Sequence, residues 1–310
     1  SPIIAGSCGL TSDVEKMVEM EKAGVGAVVL KSIFEEQINE ETSGVFKAGY
    51  GMGDAYPEAE DYIKAYIRSN TIQKYVELVR NAKSRLTIPV IASVNCFSGG
   101  EWVSFARQLE EAGADALELN VFILPVNEFK ESAEVENVYF EIVKSIKSQI
   151  KIPVSVKISH YFTNLSAFVD KIKAYGANAT TLFNRFYEPD ININTLEMGA
   201  ASVFSTAAEL RTTLRWTGIL AGKDKKLEIS ASTGVHGGEA AVKLLLAGAT
   251  TVQVCSVLYE KGIHVIEDIN NFIGKWMDSK AFKTIGDYRG MLSYSSIENP
   301  DLYERAQFMK

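Results

Sequence analysis

One corner recurs four times in this chain: AGVGAVVLKS (23–32), AGADALELNV (112–121), YGANATTLFN (175–184) and AGATTVQVCS (247–256). Each puts glycine just past a helix-patterned segment and follows it at once with a β-rich run. Glycine adopts the left-handed conformation that ends a helix. A second corner, IPVIASVN (88–95) and IPVSVKIS (152–159), opens a run with proline, where a strand start tolerates the missing N–H. Strand and helix that alternate this regularly predict a parallel sheet covered by helices.

The count sharpens the prediction. Eight β-rich runs occur, at Pro2–Ala5, Ala27–Lys31, Pro89–Asn95, Ala116–Asn120, Pro153–Ile158, Ala179–Asn184, Leu227–Ser232 and Thr251–Cys255. Helical patterning fills the intervals: Ser12–Ala23, Ala59–Ala82, Gly99–Ala112, Ala133–Gln149, Leu165–Tyr175, Ser202–Thr217, Gly237–Ala247 and His264–Ser279. Eight units favour a closed (β/α)8 TIM barrel over an open doubly wound sheet. No Pro/Gly/Ser-rich linker divides residues 1–310, so one domain is expected. Two long loops, Ile33–Glu58 and Val121–Ser132, follow strands and belong on the active face of a barrel. The tail Phe282–Lys310 is assigned no site.

Composition removes several function classes. A formal charge of −7 argues against a nucleic-acid partner. No apolar run is long enough to cross a bilayer and no secretory signal is legible, so no membrane partner is expected. Cys8, Cys96 and Cys255 are too scattered for a disulfide framework or a metal site. A reducing, cytoplasmic setting follows.

Barrel enzymes place their chemistry at the C-terminal ends of the strands. Here those ends carry Ser7, Lys31 with Ser32, Asn95, Asn120, Lys157, Asn184, Ser232 with Thr233, and Ser256. Lys157 follows an apolar run directly, so its ammonium needs an anion or an electron-rich ligand. The loop SASTGVHGG (230–238) reads as a phosphate cradle. Gly234, Gly237 and Gly238 permit close approach, and Ser232, Thr233 and Ser256 add hydroxyls. His160 is a candidate for ligand contact on that face, and His236 for phosphate contact. His264, the Glu35–Glu41 run, Cys96 and Cys255 read as structural. On these residues alone, a lyase or aldolase using Lys157 as a Schiff-base amine on a phosphorylated substrate fits as well.

The motifs PIIAGS, VVLKS, IASVNCFSGGEW, AGADALELN, IPVSVKIS, TLFN, STGV and AGATTVQVCSVLYE, together spanning Pro2 to about Gly290, resemble the dihydroorotate dehydrogenase family. These are FMN-dependent barrels that include the pyrimidine-reducing domain of dihydropyrimidine dehydrogenase. The resemblance implies hydride transfer between a dihydropyrimidine such as dihydroorotate and FMN, in a homodimer. It implies that Gly6 and Ser7 line the flavin. Lys31 and Ser32 lie near the flavin ring, Lys31 near the substrate as well. Asn95 and Asn120 bond the isoalloxazine, and Asn120 and Asn184 reach the substrate. Lys157 stabilises the charge of reduced flavin, and Thr233, Gly234, Cys255 and Ser256 hold the FMN phosphate.

Departures are as specific. The family's Cys or Ser base falls on Ile123, which accepts no proton. Val126 and not asparagine follows Pro125. The substrate loop after the second strand is replaced by VFKAGYGMGDAYPE (45–58), and Arg185 follows Asn184. The flavin half of the site is kept and the substrate half rewritten. Three outcomes stay open: another base such as His160 or Tyr56, another substrate, or a non-catalytic flavin-binding paralogue.

Overall fold

The computed structural model describes residues 1–34, 57–95 and 99–307. Most of the long loop after the second strand, with the Glu35–Glu41 run and Tyr56, lies outside them, as does Cys96.

Eight parallel strands close on themselves. They are β1 (Ile3–Ala5), β2 (Ala27–Val29), β3 (Val90–Asn95), β4 (Ala116–Asn120), β5 (Val154–Ile158), β6 (Ala179–Leu182), β7 (Glu228–Ala231) and β8 (Thr251–Val254). Each pairs with its sequence neighbour. The circle shuts where Ile3 of β1 faces Val252 of β8. That closure excludes the open doubly wound sheet. Every strand falls inside its predicted run, and all four corner glycines have left-handed φ, from +89° at Gly24 to +120° at Gly248. The second run is interrupted: its ladder stops at Val29, and Ile33–Phe34 pairs again with Val94 and Asn95 of β3.

The helices are α1 (Val14–Lys22), α2 (Pro57–Arg85), α3 (Gly99–Glu111), α4 (Ser132–Lys147), α5 (Leu165–Ala174), α6 (Leu210–Lys223), α7 (Gly238–Ala247), α8 (Ser256–Lys261), α9 (Val265–Ser279) and α10 (Asp301–Glu304). Asp13 and Asn164 cap α1 and α5 by accepting the N–H of Glu15 and Ala167. The expected helix at Ser202–Thr217 is displaced. It starts at Leu210, after a single turn at Ala207–Glu209 that Thr206 and Glu209 cap reciprocally. Before it, after β6, stands an antiparallel hairpin, Pro189–Asn192 with Glu197–Ala200, exposed throughout. The alternation Ile191-Asn-Ile193-Asn before Thr195 was the available signal for it.

The tail docks on the barrel. Tyr288 is fully buried beside Trp276 and Phe282; the ring of Tyr303 occupies the space that a side chain at Gly218 would need, and the backbone and Cβ of Tyr294, with the Ser295 N–H, the space at Gly222.

Two apolar clusters form. The larger joins the outer faces of the strands (Leu117, Leu119, Val154, Val156) to the helices (Leu109, Ile146). The smaller, Ile4, Ala27 and Val29 with Ile91, fills part of the lumen. Residues alternate between these faces along each strand. The rest of the lumen is polar: Ser93, Glu118, Thr181 and Gln253 are all buried there, and Ser155 bonds Thr181 at 3.0 Å. Among the described residues, no helix is long and apolar enough to cross a membrane.

Candidate active site

Alternation within ALELN and VSVKI aims Glu118, Asn120, Ser155 and Lys157 inward while the flanking apolar residues face the helices. The register then sets Asn120 beside Lys157, and Lys157 beside Thr181. Lys157 is buried, and its Nζ lies 3.7 Å from Glu118 Oε1. The other Glu118 oxygen accepts from Thr181 Oγ1 at 3.0 Å and from Gln253 Nε2 at 2.7 Å. The anion that Lys157 was expected to require is therefore built into the protein. The pair is loose, since Glu118 Oε1 has no hydrogen bond, and the ammonium also faces a cavity at the barrel mouth.

That cavity, about 490 Å³, lies over β1 and β5–β8. It falls in the size range of small-molecule sites. Ser7, Lys157, Asn184, Thr233, Gly234, Cys255 and Ser256 line it, with Cys8, Arg185, Ser205 and Tyr259. Ser32 and Asn120 connect to it through hydrogen bonds. Ser7 Oγ meets Ser32 Oγ at 3.0 Å, Asn120 Nδ2 donates to Ser32 Oγ at 3.3 Å, and Asn184 Nδ2 donates to Asn120 Oδ1 at 3.0 Å. Ser32 continues inward to Ser93 Oγ at 2.7 Å. Asn95 is buried, and its Oδ1 has no hydrogen-bond partner among the described residues. Gly6 lies behind the lining: a Cβ there would stand 2.6 Å from Cys255 Sγ. Lys31 is exposed at the rim.

The cradle loop is only partly as expected. A side chain at Gly234 would meet the backbone of Leu210, and one at Gly238 the ring of Phe272. These two glycines serve packing; Gly237 alone faces open space. The Thr233 hydroxyl donates to Phe183 O at 3.2 Å, and its φ is +79°, a strained value for a β-branched residue. Ser256 Oγ accepts from the N–H of Ser205 at 3.0 Å.

Cys8 and Cys255 are hydrogen-bonded to each other and titrate in opposite directions. The Cys255 thiol donates to Cys8, and the N–H groups of Leu10 and Thr11 add to it, so the Cys8 pKa falls to about 6. The same bond, together with burial, pushes Cys255 well up.

Ile123 lies elsewhere. It lines a separate cavity of about 310 Å³ with Tyr139, Phe162 and Tyr161, and packs against the main core. His160 packs against Tyr161, tilted, and edge-on against Phe183 in a small neighbouring pocket that shares Asn184, Arg185 and Thr233 with the main cavity, and burial lowers its pKa. Glu118, Gln253, Ser205 and Glu260 were not singled out in the sequence. Their signal was a polar residue at an inward position of an apolar run for the first two; none was available for the others.

A sequence profile of dihydroorotate dehydrogenase matches residues 2–277. The chain belongs to the dihydroorotate dehydrogenase family. Its members are oxidoreductases that act on CH–CH bonds. Relatives include the dihydroorotate dehydrogenase B (NAD(+)) catalytic subunit of Thermoplasma acidophilum, 29% identical over 297 residues that cover 94% of each chain. The subunit of the same name from Pyrococcus furiosus is 26% identical over 310 residues, again 94% of each. Within this family match, the residues present suit a flavin. The unpaired Asn95 acceptor, the Lys157 ammonium and the hydroxyls of Ser7 and Ser256 offer the donors and acceptors that a ring edge and a phosphate require. Among the described residues, no cluster of His, Cys, Asp or Glu could hold a metal ion.

Proposed function

We propose that the chain is an FMN-dependent dehydrogenase that moves hydride between a dihydropyrimidine-like substrate and its flavin. The observation that carries this reading is the buried Lys157 ammonium, hydrogen-bonded to no described residue and exposed to a cavity of cofactor size. FMN, when bound, supplies a two-electron acceptor for hydride. Lys157 would hold the negative charge of the reduced ring, with Asn95 Oδ1 free to accept from it. Gly6, Ser7, Lys31, Ser32 and Asn120 would line the ring. Thr233, Gly234, Cys255 and Ser256 would hold the phosphate, and Lys31, Asn120 and Asn184 would bind the substrate. Residues 1–310 would act as one flavin-binding unit.

Oxidation of dihydroorotate also requires a base. Ile123 sits in an apolar contact and cannot serve. Of the two replacements, Tyr56 lies outside the described residues. His160 borders the pocket shared with Asn184, and its lowered pKa leaves the ring free to accept a proton at neutral pH. We assign it that role. The Schiff-base reading would use the same ammonium, but the family match gives it no support.

The chain would work as a cytoplasmic protein. The exposed side chains of Ile191, Ile193, Leu196 and Met198 on the hairpin are consistent with a homodimer. Relatives named as catalytic subunits suggest a further electron-transfer subunit. The decisive experiment is the visible spectrum of protein incubated with FMN, followed by anaerobic addition of dihydroorotate. Bound yellow flavin that bleaches is expected. A protein that takes up no FMN at micromolar concentration refutes the reading; a bound flavin that dihydroorotate never bleaches refutes this substrate.

A further inference from the structure

Two cysteines from distant parts of the chain meet at the wall of the mouth cavity. Cys8 follows β1 and Cys255 follows β8. Closure of the barrel brings them together: Ala5 of β1 stands opposite Val254 of β8, and the N–H of Gly6 donates to Val254 O at 2.9 Å. The two thiols are hydrogen-bonded to each other. Both residues are partly exposed and both line the cavity, so a small molecule that enters it reaches them.

The surroundings of the two sulfurs differ in kind, and groups of fixed direction set the difference. Cys255 Sγ lies 3.8 Å from the Ser7 carbonyl, which only accepts, so Cys255 keeps its proton. Cys8 Sγ stands among donors: the N–H groups of Leu10 and Thr11 and the Tyr259 hydroxyl. The Tyr259 oxygen itself accepts the N–H of Leu10 at 3.2 Å, which leaves its proton for the sulfur. The bond from Cys255 and these donors hold the Cys8 pKa at about 6, while the same bond and burial push Cys255 well up. A thiolate and a thiol in contact, at a wall that a reagent reaches, have the arrangement of an attacking and a resolving sulfur.

Two plainer roles fit less well. A cysteine that only fills space in a core needs no donors around its sulfur. A metal site needs more ligands than two thiols, and among the described residues no group of three or more His, Cys, Asp or Glu could supply them.

We propose that Cys8 and Cys255 form a redox-active thiol pair that exchanges with low-molecular-weight disulfides. The Cys8 thiolate attacks one sulfur of the small disulfide. That S–S bond breaks, a mixed disulfide forms on Cys8, and one small thiolate leaves. Cys255 then gives its proton to solvent and attacks the Cys8 sulfur, which expels the second small thiolate. The pair loses two electrons and becomes a disulfide; the small disulfide gains them and becomes two thiols. An excess of small thiol reverses both steps. The pair stands apart from the flavin reading, because no step of hydride transfer runs through either sulfur.

The test is thiol mapping of the full chain. The protein is incubated with glutathione disulfide at neutral pH, remaining thiols are blocked with N-ethylmaleimide, and peptides are read by mass spectrometry, which separates Cys96 from the pair. Wild type should yield a cross-linked Cys8–Cys255 peptide that dithiothreitol reopens, with no glutathione retained on either residue. Cys255→Ser should stop at the mixed disulfide and keep one glutathione on Cys8. Cys8→Ser should slow the loss of the Cys255 thiol by about tenfold or more. The wild-type map decides without any variant, so a variant that fails to fold does not shield the proposal. Three results would each overturn it: a Cys8 that does not react, a wild type that retains glutathione on Cys8 beside a free Cys255, or a Cys255 that reacts at the wild-type rate in Cys8→Ser.

Discussion

Glu118 is the residue whose removal should cost most. At 3.7 Å, the attraction between its carboxylate and the Lys157 ammonium is about 4.5 kcal/mol at an effective dielectric near 20. Desolvation of both groups opposes that gain, so the net worth of the pair is far smaller. Breaking it from one side is a different matter. Glu118→Gln leaves a buried ammonium without its counter-charge, a loss of about 3–5 kcal/mol. The variant keeps the side-chain shape, and Thr181 and Gln253 keep a neighbour to bond. Lys157→Met strands the carboxylate in the same way. The double variant removes both charges and should recover much of the loss, with a coupling of at least about 2 kcal/mol. Urea unfolding of the four flavin-free proteins, read by circular dichroism, measures each term. Single variants that each lose less than about 1 kcal/mol, and losses that simply add, would show that the pair is not coupled as the geometry requires.

Three further outcomes follow. Gly234→Ala places a Cβ against the Leu210 backbone at a residue with φ +77°, and should lower stability by about 3 kcal/mol, seen as a lower thermal midpoint. Cys8, with a thiol pKa of about 6, is a thiolate above that pH and protonated below it; its iodoacetamide labelling should rise through pH 6 and then level off, while Cys255 stays unlabelled by mass spectrometry. Tyr288→Phe deletes a buried hydroxyl that has no hydrogen-bond partner among the described residues, so its unfolding midpoint should be unchanged or slightly raised; a loss above about 1 kcal/mol would mean the hydroxyl is bonded after all.

The strand–helix alternation was legible because its punctuation is local. A left-handed glycine after each of four helices and a proline before two strands fix element ends whatever lies around them. Strand-end residues were legible for a related reason: in a barrel the last residue of every strand arrives at one rim. What escaped was decided by distant partners. Glu118 stands between two leucines, and only closure of the barrel brings Lys157, Thr181 and Gln253 onto it. Gly234 and Gly238 look alike within a loop rich in small residues, yet Leu210 and Phe272, far away in sequence, determine that both are spent on packing. Ser205 belongs to a stretch that looked like the start of a helix, because Ala207–Leu210 has helical composition; the Thr206–Glu209 cap moves that start to the far side of it. His236 was noticed for its loop alone, and Glu260, 3.1 Å from its Nδ1, sits on a short helix with no periodicity to detect.

The lumen is divided, apolar where Ile4, Ala27, Val29 and Ile91 meet and polar around Ser93, Glu118, Ser155, Thr181 and Gln253. The two halves should age differently under mutation. On the greasy side, Ile4, Val29 and Ile91 can drift among residues of similar bulk, because dispersion forces ask only for volume. On the other side, Thr181 and Gln253 both donate to Glu118 and Ser155 bonds Thr181, so a single replacement strands its neighbour. New chemistry can therefore be tried along one wall of the tube at small risk, while the opposite wall acts as the chain's long-term record of what it once had to hold.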